Sequence, residues 1–117
     1  MCEIKIDFNT FPTQLFDNYL KFLVSKVWKL IPMKDYDDPN LYKYLESLLR
    51  ELIGNYELME QIKFDGNFQS LINKLMYLSI NKDIDFNIFK KDVFDCIDLI
   101  KKIQEKIKNW KDYINSI

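Results

Sequence analysis

From Phe86 to Ile117 an apolar residue recurs at alternating spacings of three and four: Phe86, Phe89, Val93, Cys96, Ile100, Ile103, Ile107, Trp110, Ile114 and Ile117. A 3.5-residue period held over that length marks one long helix with a continuous apolar seam. At 1.5 Å per residue the helix is about 48 Å long, whereas a compact domain of this size has a radius of gyration of about 13 Å. It must either run the full length of a bundle or project from it. Phe94, Ile97 and Leu99 widen the apolar surface in the first half. Beyond Ile100 the seam narrows to Ile103, Ile107, Trp110 and Ile114, set among Lys101, Lys102, Glu105, Lys106, Lys108, Lys111 and Asp112. The first half reads as core and the second as covered on one side only. Ile103, Ile107, Trp110 and Ile114, with Tyr113 and Lys106 beside them, are therefore the candidate interaction surface.

Helical patterning fills most of the remaining chain. Thr10 can cap a first helix that carries Pro12 in its first turn and ends at Pro32; Phe16, Leu20, Leu23, Val27 and Leu30 form its seam, opposite Gln14, Asp17, Asn18, Lys21, Ser25 and Lys29. Asp38 followed by Pro39 opens a second helix, with Leu41, Leu45, Leu48 and Leu52 inward and Gly54 as a left-handed stop. A short helix is expected around Tyr56, Leu58, Met59 and Ile62, then a turn at Asp65, Gly66 and Asn67. Another helix covers about Phe68 to Leu78, with Phe68, Leu71, Ile72 and Leu75 on one face. Asn81 to Asp83 break it, and Asp83 or Asp85 caps the last helix.

The leader differs. Cys2, Ile4, Ile6 and Phe8 alternate with Glu3, Lys5 and Asp7, the period of a half-buried strand. A lone strand in a helical chain reads as an extended arm packed on the bundle, or as a strand that pairs with a second copy or with a partner's sheet edge. The expected fold is all-α: a single domain over residues 1–117. An extended arm or strand at 1–9 precedes a bundle at 10–117, built of four main helices plus a short one and closed by the long C-terminal helix. That helix is expected to lie antiparallel to the second and third.

Composition narrows the function. With 117 residues, 48% hydrophobic and 15% aromatic, the chain can bury one real core. There are 17 basic and 18 acidic residues, and every basic residue except Arg50 is lysine. That balance argues against nucleic acid, which calls for a basic excess and favours arginine forks. No apolar run is long enough to span a membrane, and the charged N-terminus lacks the apolar stretch of a secretory leader. Cys2 and Cys96 are too few for a disulfide framework, so a cytoplasmic location is expected.

The absence of histidine removes Ser/His and Cys/His nucleophile pairs, His-ligated zinc and the Glu-x-x-His di-iron bundle. Gly54 and Gly66 cannot form a phosphate loop. Asp92, Asp95 and Asp98 recur on the last helix, where Lys91 and Lys102 lie four residues from Asp95 and Asp98 and can pair with them. A cation site would need further carboxylates such as Glu57 and Glu60. Glu46 and Arg50 read as a surface pair. Positive charge at Lys101 to Lys111 complements a helix C-terminus, and the acidic turn from Lys34 to Asp38 fits cap chemistry. Tyr42, Tyr44, Tyr56, Tyr77 and Tyr113 lie off the seams, and tyrosine is enriched at protein interfaces.

No catalytic, cofactor or metal residues are assigned. The expected function is a small non-enzymatic cytoplasmic protein that binds another protein, as an inhibitor, an immunity-like or antitoxin-like neutraliser, or an adaptor subunit. In size and helical make-up the chain resembles the small bacteriocin-immunity bundles, although no motif is matched residue by residue. Self-association into a homodimer through the last helix or the N-terminal arm is the alternative. A carboxylate-based metal protein is the remote one.

Overall fold

Leu20, Leu23, Val27 and Leu30 are fully buried, as are Leu45, Leu52, Leu71, Leu75, Leu78, Val93, Cys96 and Ile100. The helical periods thus converge on one apolar core. A computed structural model describes residues 3–6, 9–58 and 66–116, with side-chain surroundings for 17–54, 66–106 and 108. The elements are β1 (Glu3–Ile6), β2 (Asn9–Pro12), α1 (Thr13–Trp28), α2 (Leu30–Asp35), α3 (Leu41–Leu58), α4 (Gly66–Ile80) and α5 (Phe86–Ser116). The protein is an all-α bundle, in which the described residues form four main helices and a short one, preceded by a hairpin.

That hairpin corrects the expectation of a lone arm. β1 pairs antiparallel with β2, placing Ile4 opposite Phe11, Lys5 opposite Thr10 and Glu3 opposite Pro12. Thr10 and Pro12 therefore belong to a strand rather than to a helix start, and the ladder finds its partner within the chain. The hairpin lies against α1. Cys2, Asp7 and Phe8 fall outside the described residues.

Pro32 acts one turn earlier than expected. A helical proline has no N–H for the carbonyl four residues back and its ring clashes there; for Pro32 that carbonyl is Trp28, where α1 ends. After a single turn residue, Lys29, the chain re-enters a helix, and Pro32 sits in the first turn of α2, where a missing N–H costs little. A short helix thus stands between α1 and α3. Tyr56 and Leu58 belong to α3, while Met59 and Ile62 lie outside the described residues.

α2 closes through a Schellman-type pattern. Asp37 N–H donates to the Lys34 carbonyl at 3.2 Å and Asp38 N–H to the Met33 carbonyl at 2.9 Å. Asp37 holds φ at 50°, the left-handed position that glycine usually fills. Asp38 Oδ1 then accepts the Asn40 N–H at 2.8 Å, turning the chain into α3. Gly54 does not stop α3, which continues to Leu58 with no glycine at positive φ among the described residues. The buried leucine seam outweighs the roughly 1 kcal/mol that an interior glycine costs. Gly66 and Asn67 open α4 instead of forming a turn, and Asp85 Oδ2 caps α5 by accepting the Asn87 N–H at 3.0 Å.

α5 packs on α4, α1 and α2, while α3 packs on α4 and α2. The last helix therefore lies between the first and the fourth, and of the two helices expected beside it, it packs chiefly on α4 rather than on α3. Its 31 residues, about 46 Å at 1.5 Å each, account for most of the longest extent, 50 Å. No helix among the described residues is long and apolar enough to cross a membrane.

Candidate interaction surface

Ile103, the first residue of the expected surface, is 1% exposed and part of the main core. It is removed from that surface, because the bundle covers the seam one turn further than its narrowing suggests. Lys106 and Lys108 are exposed on α5. Ile107, Trp110, Tyr113 and Ile114 belong to the helix, with side chains outside the described set.

The expected chemistry is dispersed. Asp95 pairs across helices with Lys74 of α4 at 3.6 Å rather than with Lys91, and no group of three carboxylate or thiol residues among those described could hold a metal ion. Cys96 is fully buried, and its desolvation pushes the thiol up to about 12, with Lys74 opposing and Asp92 and Asp95 adding to the rise. A thiol held neutral in this way is not a nucleophile.

Two of the off-seam tyrosines have structural work. Tyr44 Oη donates to the Lys26 carbonyl at 2.8 Å, beside the Lys26–Glu51 ion pair at 3.0 Å. Burial, and secondarily the Glu51 charge, raise the Tyr44 phenol above its ordinary value. Tyr42 Oη donates to the Lys82 carbonyl at 3.0 Å, and Lys34 Nζ donates to the same oxygen at 3.2 Å. These bonds fasten the α4–α5 loop to the α2–α3 corner. The shallow cleft there, about 290 Å³, is lined by Lys34, Asp37, Asp38, Pro39, Leu41, Tyr42 and Lys82, of which Lys34, Tyr42 and Lys82 make that fastening.

Tyr77 is different, since it lies on the outer side of α4 with Met76 and Ile80. Their exposures are 48%, 39% and 69%. Phe68, Leu71, Ile72, Leu75 and Leu78 turn this helix inward. Its exposed positions beyond Gly66 are Gln69, Ser70, Asn73, Met76, Tyr77 and Ile80, and none carries a charge. The only charged residue of the fifteen in α4 is Lys74, which pairs with Asp95. In a chain with 30% charged residues, a helix of that length would carry about four or five. Ile88, near the start of α5, is also 53% exposed. It lies two turns before Asp95 on the same stripe of α5, and because α4 and α5 are joined by a short loop as an antiparallel pair, that stripe brings it toward the Ile80 end. Charge depletion with methionine and tyrosine present is the composition of an interface centre.

Sequence patterning missed this face because a helix inspected for its inward seam draws attention to the wrong side. The available signal was the single charge between Gly66 and Ile80. Compared with known proteins, the chain matches no family model, no curated protein and no solved structure.

Proposed function

We propose that this chain is a small non-enzymatic protein-binding protein of the cytoplasm, acting as an inhibitor, neutraliser or adaptor of another protein through the outward face of α4. The observation that carries the reading is the uncharged run Gln69, Ser70, Asn73, Met76, Tyr77 and Ile80 on a helix whose inner side is fully used by the core. Desolvating such a face leaves no unpaired charge behind, and Tyr77 and Met76 supply the apolar area that a partner would cover. A sequence without histidine supports a binding role over acid–base catalysis.

The test is recovery of the tagged chain from its native host, with wild type and Ile80→Glu in parallel. Ile80 is 69% exposed, so the substitution is expected to change stability by no more than about 0.5 kcal/mol. The wild type is expected to bring down one stoichiometric protein that the folded variant loses. Equal recovery by the variant, or repeated recovery of no partner by the wild type, would overturn the reading.

A further inference from the structure

Two surfaces at one end of the bundle complement each other in charge. The first is the seam between α1 and α5. Trp28 and Phe94 meet edge-on there and remain 43% and 38% exposed, a half-sunk aromatic platform. Lys90 Nζ lies 5.9 Å from the Phe94 ring centroid. Lys21 and Lys101, both exposed, sit two turns from Trp28 and from Phe94 on the same stripes of their helices. Antiparallel packing brings these two stripes side by side, so Lys90 stands beside the platform and Lys21 and Lys101 lie together about two turns away. The nearest exposed acid along α5, Asp98, has Lys101 and Lys102 three and four residues ahead of it.

The second surface is the turn at Asp35 to Asp38. Tyr36 is 81% exposed, more than any other large apolar or aromatic side chain described. It stands between Asp35 and Asp37, both also exposed. The hydrogen bonds from Asp37 and Asp38 to the Lys34 and Met33 carbonyls hold the turn in place. A preformed turn loses little freedom on docking.

We propose that the protein pairs with a second copy of itself, the acidic Tyr36 turn of each copy seating on the Trp28–Phe94 seam of the other. An exposed ring flanked by carboxylates meets a platform of two rings with Lys90 beside it, so apolar contact and charge act together. Both features belong to the same end: Trp28 closes α1, Tyr36 follows α2 directly, and Lys34 Nζ lies 5.6 Å from the Phe89 ring of α5. A two-fold axis at that end closes both contacts at once and leaves no open-ended chain of copies. A net charge of -1 opposes the approach of two copies very little.

Trp28 and Phe94 are each more than half covered by the bundle, which favours a complementary protein turn over insertion into a lipid surface. Two contacts, each built on one turn and one aromatic pair, belong to the low end of specific interfaces, under about 1,200 Å². A micromolar, salt-sensitive dimer follows.

Sedimentation of the purified chain from about 5 to 500 μM, at low and high salt, tests the proposal. A reversible dimer is expected at low salt, weakened at least threefold by high salt and at least tenfold by Tyr36→Ala. Lys90→Glu and Asp35→Lys each weaken it similarly. Mixed together, the two charge variants pair again, because each supplies the charge that the other's turn or seam has lost. Far-UV circular dichroism and urea unfolding establish that the variants are folded.

A monomer throughout the range overturns the proposal, as does a dimer indifferent to Tyr36→Ala and Lys90→Glu. Binding of the monomeric chain to phosphatidylglycerol vesicles, lost in Lys90→Glu, assigns the seam to a lipid surface and also overturns it. None of the substituted residues lies in α4, so either outcome leaves the α4 reading to its own test.

Discussion

The Trp28 ring meets the Phe94 ring edge-on, with centroids 5.1 Å apart and planes at 79°. An edge directed at a face pairs the positive rim of one ring with the negative face of the other, a contact worth about 0.5–1.5 kcal/mol beyond area burial. The pair ties the end of α1 to α5 at the point where Pro32 interrupts the helix. A double-mutant cycle with Trp28→Ala and Phe94→Ala, read by urea unfolding at high salt, is expected to return a coupling energy in that range. Strict additivity would mean that the two rings contribute independently.

The glycine and left-handed positions lead to opposite substitutions. Gly54 is helical and exposed, with no atom within 4 Å of an added Cβ, so Gly54→Ala is expected to stabilise the protein by about 0.5–1 kcal/mol through helix propensity. Asp37 at φ 50° calls for the reverse: Asp37→Gly is neutral to stabilising, while Asp37→Val costs about 1–2 kcal/mol. Thermal unfolding midpoints of the three variants provide the check.

Ile103 separates core from surface on α5. Its full burial predicts that Ile103→Ala lowers stability by about 2–4 kcal/mol through lost transfer energy and a residual cavity, measured by chemical denaturation. A loss under 1 kcal/mol would place the residue at an open surface after all.

Cys96 gives the protein a dependence on alkaline pH. Its thiol is raised from 9.0 to about 12 in the folded state, so the folded state holds its proton more tightly. The stabilisation is complete below about pH 9 and is lost as pH rises toward about 12. Cys96→Ala is therefore expected to lower stability near pH 7, by about 1 kcal/mol for the lost sulfur contacts, and to flatten the decline above pH 9. In native protein at pH 8, Cys96 is also expected to react with an aromatic disulfide reagent at least tenfold slower than in urea; Cys2→Ser isolates its signal.

Local patterning reached the inward faces of the helices because a seam of period 3.5 or 3.6 is written in neighbouring residues. Leu20, Leu23 and Val27 in α1, Leu45 and Leu52 in α3, and Phe89, Val93 and Cys96 in α5 are all buried as their spacing implies. Punctuation was less legible. Pro32 reads as a stop and Gly54 as a terminator, yet a proline is equally at home in a first turn, and an exposed glycine costs less than the leucines around it contribute. Thr10 and Pro12 read as a helix start because their partner strand lies only a few residues upstream, too near to look like a separate element. Of the candidate surface, Lys106 is exposed and Ile103 is buried. Tyr77 was visible as an off-seam aromatic, without the uncharged face it belongs to.

By itself the sequence determined an all-α bundle, the residues that line its core and the long final helix, because apolar periodicity acts over single turns. Only the tertiary structure decided that α5 lies between α1 and α4, that Asp95 turns to Lys74 instead of Lys91, and that Trp28 meets Phe94. These are choices among neighbours far apart in the chain, settled by how several seams pack together. The same packing decides which side of α4 is left uncovered, and so which uncharged residues stand open to a partner.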